Sequence, residues 1–174
     1  MSSEANTEKT AENWYHEGLS MGRLGNNEAS IAAYRKTVEL DPSNFRAWFN
    51  LGIRYGKIMK NLDAAKCFKK ALEFRPEDAL CHYSLAVVSN LIGETDEAFK
   101  HYGETLRINP DFAKAHSNLA MLHYSLKRGK DTVRHLRLAK KLFERQADLQ
   151  MTENARNLLN ECYKEFGIKP EDPA

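Results

Sequence analysis

Residues 45–78 read FRAWFNLGIRYGKIMKNLDAAKCFKKALEFRPED, and their spacing decides the fold. Trp48, Leu51, Gly52 and Tyr55 fall at i, i+3, i+4 and i+7, one face of a helix. Leu62, Ala65, Phe68, Ala71 and Leu72 make a similar face on a second helix, with Asn61 or Asp63 near its start. The small residues Gly52 and Ala64 let the two helices approach closely, and Trp48 and Phe68 are expected to fill the volume between them. Pro76 then stops the chain, because the residue before a proline disfavours the α region. A single pair of this kind cannot bury its own apolar surface, so neighbours must stack on it.

Those neighbours are in the sequence. Pro42, Pro76 and Pro110 lie 34 residues apart, and so do Trp14, Trp48, His82 and His116. A period of that length, held over three intervals, is the mark of a helical repeat array. The second repeat reads W-x2-L-G-x2-Y, then A-x3-F from Ala64 to Phe68, then Pro76, and this resembles the tetratricopeptide repeat (TPR) family. The first repeat matches at Trp14, Gly18, Tyr34 and Asp41-Pro42, and departs at Glu17, Met21 and Ser30. The third carries Leu85, Ala86, Ala98, Tyr102 and Pro110. The fourth carries Leu119, Ala120, Leu136 and Ala139, with Glu144 where the closing proline would stand. The resemblance covers roughly residues 11 to 144. It implies an all-α chain, an α-solenoid of four TPR-like helix-turn-helix repeats with a C-terminal capping helix.

The expected organisation is a disordered tail over 1–10, four repeats over about 11–44, 45–78, 79–112 and 113–148, a capping helix over 149–167, and a loose tail over 168–174. The fourth repeat lacks a proline stop, so its second helix is expected to run on past Leu142 and Phe143. The cap's helical stripe is Ala155, Leu158, Leu159, Cys162, Tyr163 and Phe166, with Thr152 as its expected N-cap and Gly167 just beyond its end. A solenoid needs such a terminal element with a polar outer face.

Composition narrows the function. The net charge is +2, and no block of like charge reaches five residues. The basic group Arg134, Arg137, Lys140 and Lys141 reads as a solvated helix face, and nucleic-acid binding would need a stronger basic stripe. Cys67, Cys81 and Cys162 are scattered with no C-x-x-C, as expected of packed thiols in a reducing cytoplasm. No apolar run of 18 residues occurs, so no membrane insertion is expected. No Gly-rich phosphate loop or nucleophile motif appears, and no catalytic residue, cofactor or metal is expected. His116 and His123, seven apart, could share a helix face as metal ligands. His82 and His116 instead occupy the tryptophan position, and His123 the Tyr55 position, so packing explains them.

One feature exceeds what helix pairing requires. A second apolar stripe recurs on the first helix of each repeat, centred roughly 130° from the Trp48 stripe. That face comprises Tyr15 and Leu19, then Arg46, Phe49, Ile53 and Gly56, then Leu80, Tyr83 and Val87, then Met121 and Tyr124. Asn50 and Asn118 sit at its edge, interrupted by His16 and Ser84 in the other two repeats. In the family this is the concave face, and some members hold a bound peptide's backbone with such asparagines. Tyr15, Leu19, Phe49, Asn50, Ile53, Tyr83, Val87, Asn118, Met121 and Tyr124 are therefore the candidate groove for a protein or peptide partner, in a non-catalytic adaptor. Repeat-to-repeat packing and self-association into a scaffold are the alternatives. The family's carboxylate clamp needs Lys, Asn, Asn, Lys and Arg. This chain offers Tyr15, Leu19, Asn50, Leu80 and Ser84 from one start, and Phe49, Ile53, Ser84, Lys114 and Asn118 from the next. Arg54 stands alone, since its repeat equivalents Ser20, Val88 and Leu122 are uncharged, and it is expected to snorkel or to pair with a carboxylate.

Overall fold

The computed structural model describes residues 9–172. Among them the chain is all helix, with no strand: α1 (Ala11–Arg23), α2 (Asn27–Leu40), α3 (Phe45–Lys57), α4 (Asn61–Phe74), α5 (Ala79–Leu91), α6 (Thr95–Ile108), α7 (Ala113–Ser125), α8 (Gly129–Arg145) and α9 (Leu149–Phe166). The helices form two compact units, one through Ile92 and one from Gly93.

In the N-terminal unit each helix packs on the next, from α1 through α5. The pairs close because two glycines give way to two rings. A Cβ on Gly18 would lie 2.6 Å from the Tyr34 ring, and one on Gly52 2.7 Å from the Phe68 ring. Tyr34 and Phe68 are accordingly buried almost completely. Ser30, which departs from the repeat pattern, is also buried, and its hydroxyl donates to the Gly18 carbonyl at 2.7 Å.

The repeats are joined by turns with proline in second place. Asn44 N–H donates to Asp41 O, Asp78 N–H to Arg75 O, and Phe112 N–H to Asn109 O. Each turn is then tied to the following helix by a ring. Trp48 Nε1–H donates to Pro42 O at 2.8 Å, His82 Nε2–H to Pro76 O at 2.9 Å, and His116 Nε2–H to Pro110 O at 3.0 Å. This corrects the expectation that Trp48 fills the core. It is only half-buried, because its indole N–H must reach the turn, and Phe68 and Leu51 occupy the centre. A tryptophan and a histidine are interchangeable here because both present a ring N–H.

In the C-terminal unit α7 packs on α6, α8 on α7 and α9 on α8. Lacking a proline, α8 continues past Leu142 and Phe143 to Arg145. Ala120, Val133 and Leu136 pack with Leu159 and Cys162 of α9. The N-cap of α9 is Asp148, not Thr152: the Asp148 side chain accepts from Met151 N–H at 3.0 Å, and Thr152 is buried inside the helix. Gly167 ends α9 at φ 62°, the left-handed conformation that glycine adopts without strain.

Both tails differ from expectation where they are described. Residues 1–8 and 173–174 lie outside the described residues. Thr10 caps α1, exchanging hydrogen bonds with Asn13, and Lys9 pairs with Glu17 and lies over the Trp14 ring. The C-terminal segment is tethered rather than loose. Arg137 donates to Pro170 O and Asp172 O, both at 2.7 Å, and Ile168 packs against the α8–α9 core.

Candidate functional site

α3 and α5 of the N-terminal unit bound an open cleft of about 340 Å³. Ile53, Gly56 and Lys57 line it from α3, and Tyr83, Val87 and Leu91 from α5. Gly56 keeps the cleft open, since a Cβ there would meet nothing within 4 Å. Leu91 is more than half exposed, which leaves apolar surface at the rim. The charge around the cleft has one sign. α3 carries Arg46, Arg54 and Lys57 with no acidic residue, and α5 carries no Asp, Glu, Lys or Arg. Lys57 is exposed and makes no ion pair or side-chain hydrogen bond with the described residues.

Of the candidate groove residues, Ile53, Tyr83 and Val87 line this cleft. The other candidates of the unit lie beside it with their own contacts. Phe49 stacks on Phe45 with ring centroids 6.0 Å apart and meets Phe68 at 5.7 Å, so it also serves the core. Tyr15 packs on Tyr34, and its hydroxyl accepts from Asn50 Nδ2 at 3.3 Å, while Leu19 packs against the same cluster as Tyr15. Ser84, in the asparagine position of the third repeat, turns its hydroxyl back to Leu80 O at 2.8 Å. Lys57 and Leu91 escaped the sequence reading. Both lie four residues beyond the last apolar residue of the stripe, Ile53 and Val87, one turn past where that reading stopped.

In the C-terminal unit, Met121 is exposed and Asn118 half-buried. Tyr124 is already occupied by α9: its ring meets Phe166 edge-on at 5.7 Å, and its hydroxyl donates to Glu165, which also receives Lys127 Nζ at 2.6 Å. That carboxylate raises the Tyr124 pKa, chiefly through the hydrogen bond.

Arg54 neither snorkels nor pairs with a carboxylate. Its Nη1 donates to Gly22 O at 3.1 Å and Asn27 Oδ1 at 3.3 Å. Gly22 lies in the last turn of α1, so the guanidinium sits at the negative end of that helix and shares the Gly22 carbonyl with Gly25 N–H.

His116 and His123 are joined by a third histidine, His135 of α8. His116 Nδ1 and His135 Nδ1 are 3.0 Å apart, and the His123 and His135 rings stack at 5.5 Å. Because His116 Nε2–H is committed to Pro110 O, neutral His116 accepts at Nδ1 and His135 Nδ1–H donates. Burial lowers the pKa of all three, that of His135 to about 4. No group of three or more His, Cys, Asp or Glu among the described residues is arranged to hold a metal ion. Burial pushes the thiols of Cys67 and Cys81 up to about 12, which leaves them inert. No described helix is long and apolar enough to cross a membrane.

Comparison with known proteins agrees with this geometry. A TPR repeat family model matches residues 23–58. No curated protein sequence matches the chain. Among solved structures, MamA aligns with a TM-score of 0.76 at 23% identity, over 79% of this chain and 81% of that one. YrrB, described as a TPR protein with an unusual peptide-binding site, aligns at 0.75 and 19% identity, over 95% and 81%. The first TPR domain of Spaghetti (RPAP3), bound to the HSP90 peptide SRMEEVD, aligns at 0.65 and 19%, over 68% and 94%. At these identities the likeness is one of fold. The 34-residue period, the glycine-to-ring closure of the helix pairs and the family match at 23–58 agree with it on a TPR-like α-solenoid fold.

Proposed function

We propose that the chain is a non-catalytic adaptor whose α3–α5 cleft holds an apolar side chain of a partner peptide. The observation that carries this is the cleft itself: a concavity of about 340 Å³, walled by Ile53, Tyr83, Val87 and Leu91 and kept open by Gly56. Concave apolar surface with a few polar groups at its edge is the usual form of a ligand site. The occupant is an apolar residue flanked by an acidic one, because Lys57 leaves positive charge at the cleft with no carboxylate in its lining. Two fold relatives carry peptide binding in their descriptions, which supports a peptide as the ligand class. Three buried, unpaired thiols fit a reducing, cytoplasmic setting.

The test is to select peptides on the full chain from a random display library and map the best binder by amide chemical shifts. Perturbations should centre on Ile53, Gly56, Lys57, Val87 and Leu91, and the selected peptides should pair an apolar with an acidic residue. Perturbations confined to the α2 and α4 surface would contradict the reading. A mass that doubles with concentration and is blocked by the peptide would instead assign the cleft to a second copy of the chain.

A further inference from the structure

α8 is charged unlike the rest of the molecule. It carries six basic and two acidic side chains, net +4, on a chain whose net charge is +2. Four cations of the C-terminal unit line one cleft of about 270 Å³ between α8 and α9: Arg137, Lys140, Lys141 and Arg156, with Asn160 and Tyr163 beside them. No carboxylate lines it.

Arg137 is held in place without being neutralised. It donates to the Tyr163 hydroxyl at 3.0 Å and to the Asp172 and Pro170 carbonyls at 2.7 Å each, all uncharged acceptors. The guanidinium is thus fixed in orientation with its full charge. Tyr163 receives Arg137's hydrogen and keeps its own to donate. Lys141 is exposed and makes no ion pair or side-chain hydrogen bond with the described residues. Lys140 and Arg156 reach Glu144 and Glu153, carboxylates that stand outside the lining.

We propose that this cleft binds a phosphate monoester. A carboxylate brings one charge and two oxygens to a site where two cations, Arg137 and Lys141, stand without a counter-charge. A phosphate monoester brings ≈ −1.5 to −2 at pH 7 and three strong acceptor oxygens, the better match to a fixed guanidinium, a free ammonium and neutral donors. A nucleic acid would need a continuous basic track, and Glu144 and Glu153 interrupt one on both sides of the cleft. The monoester is either a phosphorylated side chain or a small phosphorylated metabolite, and both present the same group.

The test uses the full chain and two probes, inorganic phosphate and N-acetyl-phosphoserine methylamide, with sodium acetate at equal ionic strength as control. Both phosphates should give saturable shifts at Arg137 Nε–H and the Lys141 amide, and acetate should not. Lys141→Glu and Arg156→Glu should each weaken binding at least about tenfold, because each turns an attractive charge repulsive. Arg134→Glu, the same charge change on α8 outside the cleft, should leave it within about twofold, at the scale of a screened surface charge. Tighter binding of the phosphoserine amide assigns the site to a phosphorylated segment, and equal binding assigns it to a free phosphate compound. Lys141 and Arg156 are exposed, so unchanged far-UV dichroism of their variants shows intact folding. Non-saturable shifts, or an Arg134→Glu loss equal to that of Lys141→Glu, would overturn the proposal.

Discussion

Gly52 and Gly56 stand one turn apart on α3 and should answer a methyl group in opposite ways. At Gly52 the new carbon would sit 2.7 Å from Phe68, in a filled core, so Gly52→Ala should cost about 1–3 kcal/mol. At Gly56 it meets nothing, and Gly56→Ala should gain about 0.5–1 kcal/mol from helix propensity alone. Urea unfolding of the two variants measures both signs. A gain for both would mean that Phe68 does not press on α3. His135 sets a pH dependence at the same scale. It faces His116, His123, Asp131 and Arg134, and burial lowers its pKa from about 6.5 to about 4, so the unfolded chain binds the proton more readily. Stability from this group is therefore complete above pH 6.5 and falls as the pH drops from 6.5 to 4, by about 3 kcal/mol in all. Unfolding free energies at pH 7 and 4.5 should show the fall, and His135→Gln should flatten it. An unchanged slope in the variant would place the titration elsewhere. The sequence made the 34-residue recurrence of Trp48, His82 and His116 plain. It could not show that the shared property is a ring N–H aimed at a proline carbonyl, since periodicity reports position and not hydrogen bonding.

At the scale of elements, the four turns inside the repeats take the same left-handed residue: Gly25, Met59, Gly93 and Lys127, at φ 76°, 61°, 82° and 57°. Only glycine adopts that conformation freely, so Met59→Gly should stabilise the chain by roughly 0.5–1 kcal/mol. A loss of stability in thermal melts would mean that the Met59 side chain holds the turn. α9 is the element on which the C-terminal unit most depends. It covers Val133 and Leu136 with Leu159 and Cys162, and Phe166 lies over Gly129. Deleting residues 149–174 should therefore produce aggregation or oligomers in light scattering. A soluble monomer of unchanged stability would show that α9 is not a cap. The stripe of α9 was legible, but its start was not. Asp148 and Thr152 are both good N-caps, four residues apart, and choosing between them requires knowing that Thr152 points into the core. The tether of the tail was hidden for a related reason, because Arg137 reaches carbonyls about 33 residues away.

For the whole molecule, the repeat spacing carried the fold, and it carried part of the lining of the α3–α5 cleft. Ile53, Tyr83 and Val87 were visible as a second stripe because helical periodicity places them together. Tyr124 belonged to the same stripe and is covered by α9, a relation between elements that no single-helix pattern contains. Lys57 and Leu91 extend the same stripe by one turn, four residues beyond Ile53 and Val87, and were passed over because one is charged and the other lies at the end of its helix. The cleft is the centre of the functional reading, and Gly56→Leu probes it without touching a packed side chain. Isothermal titration of a display-selected peptide should show affinity falling at least about tenfold for Gly56→Leu, on the scale of a lost interface anchor, with the melting temperature unchanged or raised. An affinity equal to that of the unaltered chain, with the fold intact, would contradict the assignment of the α3–α5 cleft as the binding site.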